Sequence, residues 1–303
     1  MVEKPHVLDL NNIKNICFEG GGALGLSYIS ALKNLQELGL LENLKNFAGS
    51  SVGAVFASAL ACNCTLECLE THILILKPCT FKDTRNIFFK AFRLYNRNGM
   101  YRGNLLKRWL QTLIKNASGN ADITFQEVYE KFGNNLIITG TNIMNQSTVY
   151  FSRYTTPTMK IVEALRISVS FPLFFQDVRL DKEIYIDGGV LDNYPIHVFR
   201  KIEFDGSLEN DCQTIGLKLL TKDEYENKPL VVDKITSFIP AIINCLHRQA
   251  SKVYIEDDDW ERTIKINTGA INSLNFDLTN EEKQYLIDQG KTAVELLDRK
   301  SVV

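Results

Sequence analysis

The 303-residue chain is 45% hydrophobic and 23% charged, which suits one large globular domain or two small ones. Its 34 basic and 36 acidic residues leave a formal net charge of −2, so composition does not call for a nucleic-acid partner. No apolar run approaches the roughly 18 residues of a membrane-spanning helix, and Met1 to Asn12 lacks the apolar stretch of a secretory signal.

In chain order, residues 13–18 predict a central strand. They run into Glu19-Gly20-Gly21-Gly22-Ala23-Leu24-Gly25, after which Tyr28, Ile29, Leu32, Leu35 and Leu38 recur at helical spacing up to Gly39. A triple glycine between strand and helix exposes a row of backbone N–H groups, an anion nest. Gly20, Gly22 and Gly25 also satisfy the dinucleotide fingerprint G-x-G-x-x-G. That unit requires an acidic residue closing a second strand about twenty residues later. The chain offers a serine there instead.

Residues 44–48 predict the end of a buried strand, and 52–61 a small, apolar helix. Between them, Gly49-Ser50-Ser51-Val52-Gly53 has the G-x-S-x-G form of a nucleophile elbow with Ser51 at its apex. The glycines remove side chains that would strike the neighbouring strand or helix. The ordinary alternative is a Gly-Ser turn leading into a core helix. A glycine loop upstream of such an elbow suits an oxyanion hole, where each preorganised donor is worth about 10²–10³ in rate.

Cys62-Asn63-Cys64, Cys68 and His72 do not have the spacing of paired zinc knuckles, so no metal is expected. With Cys17, Cys79, Cys212 and Cys245 they make seven cysteines, an odd number that points to buried free thiols in a reducing compartment. From Phe81 to Arg102, basic and aromatic residues interleave, including Lys82, Arg85, Phe88, Phe89, Arg93 and Arg97, with Asp83 as the one acid. Such a segment can lie on an anionic bilayer or form a lid. The competing reading is an amphipathic helix that turns its aromatics to the core and its bases to solvent.

Residues 105–114 predict a helix, 136–142 and 148–152 paired strands, and 161–169 a helix stopped by Ser170-Phe171-Pro172. Residues 183–187 predict a strand with Asp187 at its C-terminal end, before Gly188-Gly189. Open α/β sheets bind ligands at that edge, so a carboxylate there is placed to meet Ser51, although Asp-Gly turns are common everywhere. Beyond residue 200 the pattern predicts a strand at 214–220, a helix at 237–253, and an acidic solvated turn at 256–259 beside Trp260. A last helix is capped by Thr279 and Glu282.

Taken in order, Gly20-Gly21-Gly22-Ala23-Leu24-Gly25, Gly49-Ser50-Ser51-Val52-Gly53 and Asp187-Gly188-Gly189 resemble the motifs of the patatin-like phospholipase family. Arg166 to Phe175 and Asn193-Tyr194-Pro195 resemble the segments flanking that family's aspartate, and 276–283 its terminal helix in bacterial-type members. The resemblance covers residues 14–200 well and the rest loosely. It implies an α/β, three-layer α/β/α fold with a mostly parallel central sheet and a nucleophile elbow, as a single domain over 1–303. It also implies lipid acyl hydrolysis through a Ser51–Asp187 dyad, with Gly20, Gly21 and Gly22 as the oxyanion loop and neither metal nor cofactor. Phospholipid or lysophospholipid is the implied substrate, met at a peripheral membrane surface or in the cytoplasm, with any activating protein unidentified. Leu24 stands where the family usually has Lys or Arg, which bears on head-group preference.

An ordinary carboxylate, with a pKa of about 3.9, is a weak base for a serine hydroxyl unless burial raises it. His197 and His247 both follow Asp187, so a general serine esterase with a Ser-Asp-His triad is formally open. So are an acyltransferase, in which an alcohol or thiol resolves the acyl-enzyme, and a non-catalytic module that binds membrane lipid.

Overall fold

The computed structural model describes residues 12–76, 82–84, 86–202, 208–209, 213–222, 238, 241–242, 245–246, 255 and 257–301. The first half of the chain forms β1 (Asn15–Phe18), α1 (Ser27–Glu37), β2 (Asn46–Gly49), α2 (Val52–Ala61), α3 (Leu66–Leu74), α4 (Ile87–Arg97), β3 (Gly99–Tyr101), α5 (Asn104–Ser118) and α6 (Phe125–Phe132). Then follow β4 (Asn135–Asn142), β5 (Ser147–Phe151), α7 (Ile161–Ser168), β6 (Leu173–Phe175), β7 (Val178–Leu180) and β8 (Glu183–Asp187). The remainder supplies β9 (Lys201–Ile202), β10 (Leu208–Glu209), β11 (Thr214–Thr221), α8 (Asp257–Glu261), β12 (Thr263–Gly269) and α9 (Asn280–Ser301).

The central sheet runs β12-β11-β1-β2-β4-β8-β7, with β5 also paired to β4. From β12 to β4 every pairing is parallel, and β5, β8 and β7 join antiparallel. This is the α/β architecture with a mostly parallel sheet that the motifs imply. Parallel strands buried on both faces read as continuous apolar runs, and β1 and β2 are almost wholly buried. Ile16, Phe18, Phe47 and Leu217 join a large core with residues of α1, α2 and α9. Their neighbours Cys17 and Ala48 face the other way and pack with Tyr194 and Ile196.

Register explains how two distant motifs meet. Ile138 of β4 pairs with Gly49 on one side and Phe151 on the other, and Gly140 pairs with Asp187 and Val149. It follows that β2 and β8 lie on the same edge of β4 and approach each other end to end. Ser51, two residues past Gly49, is thereby level with Asp187. Asp187 does stand at the C-terminal end of its strand, as the sequence predicts; because β8 is antiparallel to β4, the carboxylate arrives from the direction opposite to that of the parallel strands.

Two other expectations change. The acidic run is not a solvated turn: Asp257–Glu261 is helical, and Asp259 is buried between Arg200 and Arg262, with Glu256 outside the described residues. The aromatics of α4 do not enter the core, since Phe88, Phe92 and Tyr95 are 81%, 66% and 89% exposed. Most of the predicted helix at 237–253 lies outside the described residues. No helix among the described residues is long and apolar enough to cross a membrane.

Candidate active site

Ser51 occupies the turn between β2 and α2 at φ 50° and ψ −123°. A non-glycine residue held there is strained by about 1–3 kcal/mol, and only the surrounding packing sustains it. That packing is tight: a Cβ on Gly53 would strike the carbonyl of Phe18, and one on Gly49 would strike Gly53. The Ser51 N–H donates to Ser168 Oγ at 2.9 Å, which ties the turn to the end of α7. Its side chain is left at the N-terminus of α2, where the helix dipole favours negative charge.

Ser51 Oγ donates to Asp187 Oδ2 at 2.9 Å. Asp187 is itself 3% exposed; its Oδ1 accepts the Gly189 N–H at 2.8 Å, and its backbone N–H donates to Ser170 O. Thr141 Oγ1 donates to the Asp187 carbonyl at 2.9 Å. Burial pushes the carboxyl up to about 7, and the hydrogen bonds from Gly189 and Ser51 pull it back only in part.

The glycine loop enters from the end of β1, beside the elbow. Gly20 is held twice by Asn193: its N–H donates to the Asn193 carbonyl, and its carbonyl accepts from Asn193 Nδ2, both at 3.0 Å. Gly20 therefore has no N–H to offer a ligand, unlike the expectation from sequence. Gly21 and Gly22 line the cavity above Ser51, and their N–H groups meet no acceptor among the described residues. Gly22 has φ +55°, and a Cβ there would collide with the Ser273 carbonyl, so glycine is required. Gly25 packs against Val52, and Gly188 against Thr139. Beneath the loop, the buried Glu19 holds Lys218 Nζ and the Leu219 N–H.

The cavity has a volume of about 970 Å³. Ser51, Asp187 and the glycine loop form one wall, and Leu24, Val55, Phe56, Trp109 and Phe174 contribute to the apolar remainder. Leu24 is buried, so the position that is basic elsewhere here adds to the apolar lining.

The two described histidines, His72 and His197, do not line the cavity. His197 Nε2 lies 3.1 Å from Tyr150 Oη and 3.6 Å from Asp192 Oδ2, and burial with Arg200 nearby lowers its pKa to about 4. His247, Arg85, Cys79 and Cys212 lie outside the described residues. Cys17, Cys62 and Cys64 are buried free thiols, Cys68 is half-buried, and Cys245 is exposed. His72 Nδ1 engages the Cys68 carbonyl one helical turn back. Among the described residues no group of three or more His, Cys, Asp or Glu could hold a metal ion.

Comparison with known proteins decides the family. The model of the patatin-like phospholipase domain matches residues 16–200. The chain belongs to the patatin-like phospholipase family. Protein R571 of Acanthamoeba polyphaga mimivirus is 30% identical over 298 residues, covering 96% of this chain and 95% of that protein. The probable lipid hydrolase 463L of invertebrate iridescent virus 6 is 28% identical over 185 residues, covering 61% of this chain and 62% of its own length. Among solved structures, VipD from Legionella pneumophila shares the fold with a TM-score of 0.63 at 20% identity, over 95% of this chain and 67% of that one.

Within this patatin-like frame, sequence reasoning missed Ser168, Ser170, Thr141 and Asn193, the polar groups that orient the serine, the aspartate and the loop. Asn193 carried a signal as the first residue of the Asn-Tyr-Pro segment after the aspartate, and Ser168 and Ser170 as members of the segment 166–175 before it; Thr141 carried none.

Proposed function

We propose that this chain is a serine lipid acyl hydrolase, cleaving acyl ester bonds of phospholipids or lysophospholipids through Ser51 and Asp187. The observation that carries the proposal is the 2.9 Å hydrogen bond from Ser51 Oγ to Asp187 Oδ2, at the apex of a strained turn and in the wall of a large apolar cavity. A pKa near 7 makes the carboxylate a far better base than an exposed aspartate, since catalytic bases work best near the operating pH.

Asp187 takes the hydroxyl proton as Ser51 Oγ attacks the ester carbonyl. The resulting oxyanion accepts hydrogen bonds from the Gly21 and Gly22 N–H groups. As the tetrahedral intermediate collapses, the C–O bond to the glycerol oxygen breaks, and that oxygen takes the proton from Asp187. The acyl group is now esterified to Ser51. A water that loses its proton to Asp187 attacks this ester, and the same sequence releases a fatty acid and restores the Ser51 hydroxyl. A cavity near the upper end of the usual ligand range of about 300–1,000 Å³ accommodates an acyl chain.

A triad through His197 is disfavoured because His197 bonds to Tyr150 beside Asp192 and does not line the cavity. Fatty-acid release from phosphatidylcholine and lysophosphatidylcholine micelles tests the proposal. Ser51→Ala and Asp187→Asn are each expected to lower turnover by about 10³-fold or more. Wild-type-like release by Ser51→Ala would sink it.

A further inference from the structure

Helix α4 is mounted inside out. Successive residues step by about 100°, so Phe88, Phe92 and Tyr95 fall on one stripe and Lys90, Arg93 and Arg97 on the opposite one. A surface helix ordinarily buries its apolar stripe. Here the polar stripe faces the body: Arg93 Nη1 bonds Asp83 Oδ1 at 2.8 Å, and Lys90 Nζ lies over the Tyr101 ring at 5.3 Å. The second Asp83 oxygen takes the Arg102 N–H, so that carboxylate is fully committed. The aromatic stripe is left in solvent, flanked by Phe89 at 58% exposure. Four large aromatics exposed on three turns form a patch that a soluble surface does not normally keep.

The charge around the patch selects the occupant. The helix carries no acid; of its three bases, Lys90 and Arg93 turn to the body, and Arg97 at its end is exposed. Exposed aromatic rings on a helix with no acid and an exposed arginine at its end suit the headgroup zone of an anionic bilayer. The helix is also coupled to the cavity. It runs into β3, β3 pairs with β6, and Phe174 of β6 lines the cavity while its ring packs tilted against Tyr101, centroids 4.9 Å apart. Leu74 lines the cavity too and is 48% exposed, so the cavity reaches the surface.

We propose that α4 is a docking helix for anionic lipid bilayers, seating Phe88, Phe89, Phe92 and Tyr95 among the headgroups. The consequence for substrate delivery rests on the hydrolase reading; the docking itself does not.

The test is flotation with vesicles of phosphatidylcholine alone or mixed with phosphatidylserine. Ser51→Ala protein is used so that no lipid is consumed. Binding is expected only to the mixed vesicles and is expected to weaken with added salt. The triple variant Phe88→Ser, Phe92→Ser, Tyr95→Ser is expected to lose binding by about tenfold or more, and Arg97→Glu to lose it less. Unchanged thermal melting of the variants shows that they fold. No binding to mixed vesicles, or full binding by the folded triple variant, overturns the proposal. So does self-association that the triple variant abolishes, which would make the patch a contact between copies. Vesicle binding by a protein that fails to release fatty acid would sink the hydrolase reading and leave the docking intact.

Discussion

Replacing Asp187 with asparagine should make the protein more stable above neutral pH while removing its activity. The ordinary value for the group is 3.8, and burial pushes it up to about 7 in the folded protein. The native state thus binds the proton more tightly than the unfolded chain does. The stability that this supplies is complete below the ordinary value and is lost as pH rises through about 7. A difference of about three pH units, at about 1.4 kcal/mol each, comes to about 4 kcal/mol, of which about 3 disappears between about pH 5 and pH 8. Asparagine carries no charge to desolvate. Its amide oxygen can accept the Gly189 N–H and its amide nitrogen can donate to Ser51 Oγ, so both hydrogen bonds survive. Urea unfolding of wild type and Asp187→Asn, followed by circular dichroism across that range, reads the difference directly. The variant's advantage is expected to grow by about 3 kcal/mol from about pH 5 to pH 8. Parallel pH profiles for the two proteins would refute the claim that Asp187 is a buried base with a raised pKa.

The same shift governs rate: kcat/KM should fall about tenfold per pH unit below an apparent pKa near 7, measured with a soluble ester. Asn193→Ala releases the Gly20 carbonyl and is expected to lower kcat by about tenfold or more with little change in KM, because a misplaced loop weakens transition-state binding. Gly53→Ala drives a methyl into the Phe18 carbonyl and should cost about 3 kcal/mol in unfolding experiments. Gly39→Ala meets nothing within 4 Å and should cost only about 1–2 kcal/mol for its φ of +73°. His197→Ala should keep turnover within about threefold of wild type; a loss on the scale of Ser51→Ala would reinstate the triad.

The elements that build the centre of the sheet and the elbow were legible because each is a short-range pattern. Residues 13–18 and 44–48 are apolar runs, and the glycines at 49 and 53 answer to contacts within one strand-turn-helix unit. Which residues orient Ser51 and Asp187 was not legible. Ser168 reaches Ser51 across 117 positions and Thr141 reaches Asp187 across 46, and a lone serine or threonine carries no mark of such a partner. Nor does a helical period say which stripe faces the body. In α4 that is decided by Asp83, ten residues before Arg93, which ties the basic side down. The acidic run misled for a similar reason: Asp259 is buried because Arg200, 59 positions away, folds onto it. Strand β12 was passed over although Ile264 and Ile266 alternate with Lys265 and Asn267, a pattern that could have been found.

The most direct test is covalent labelling with an alkyl fluorophosphonate, with the adduct located by peptide mass spectrometry. One adduct per chain on Ser51, formed by wild type and slowed by about 10²-fold or more in Asp187→Asn, is the expected result. An unlabelled Ser51, or labelling at wild-type rate without the Asp187 carboxylate, would contradict the assignment of nucleophile and base.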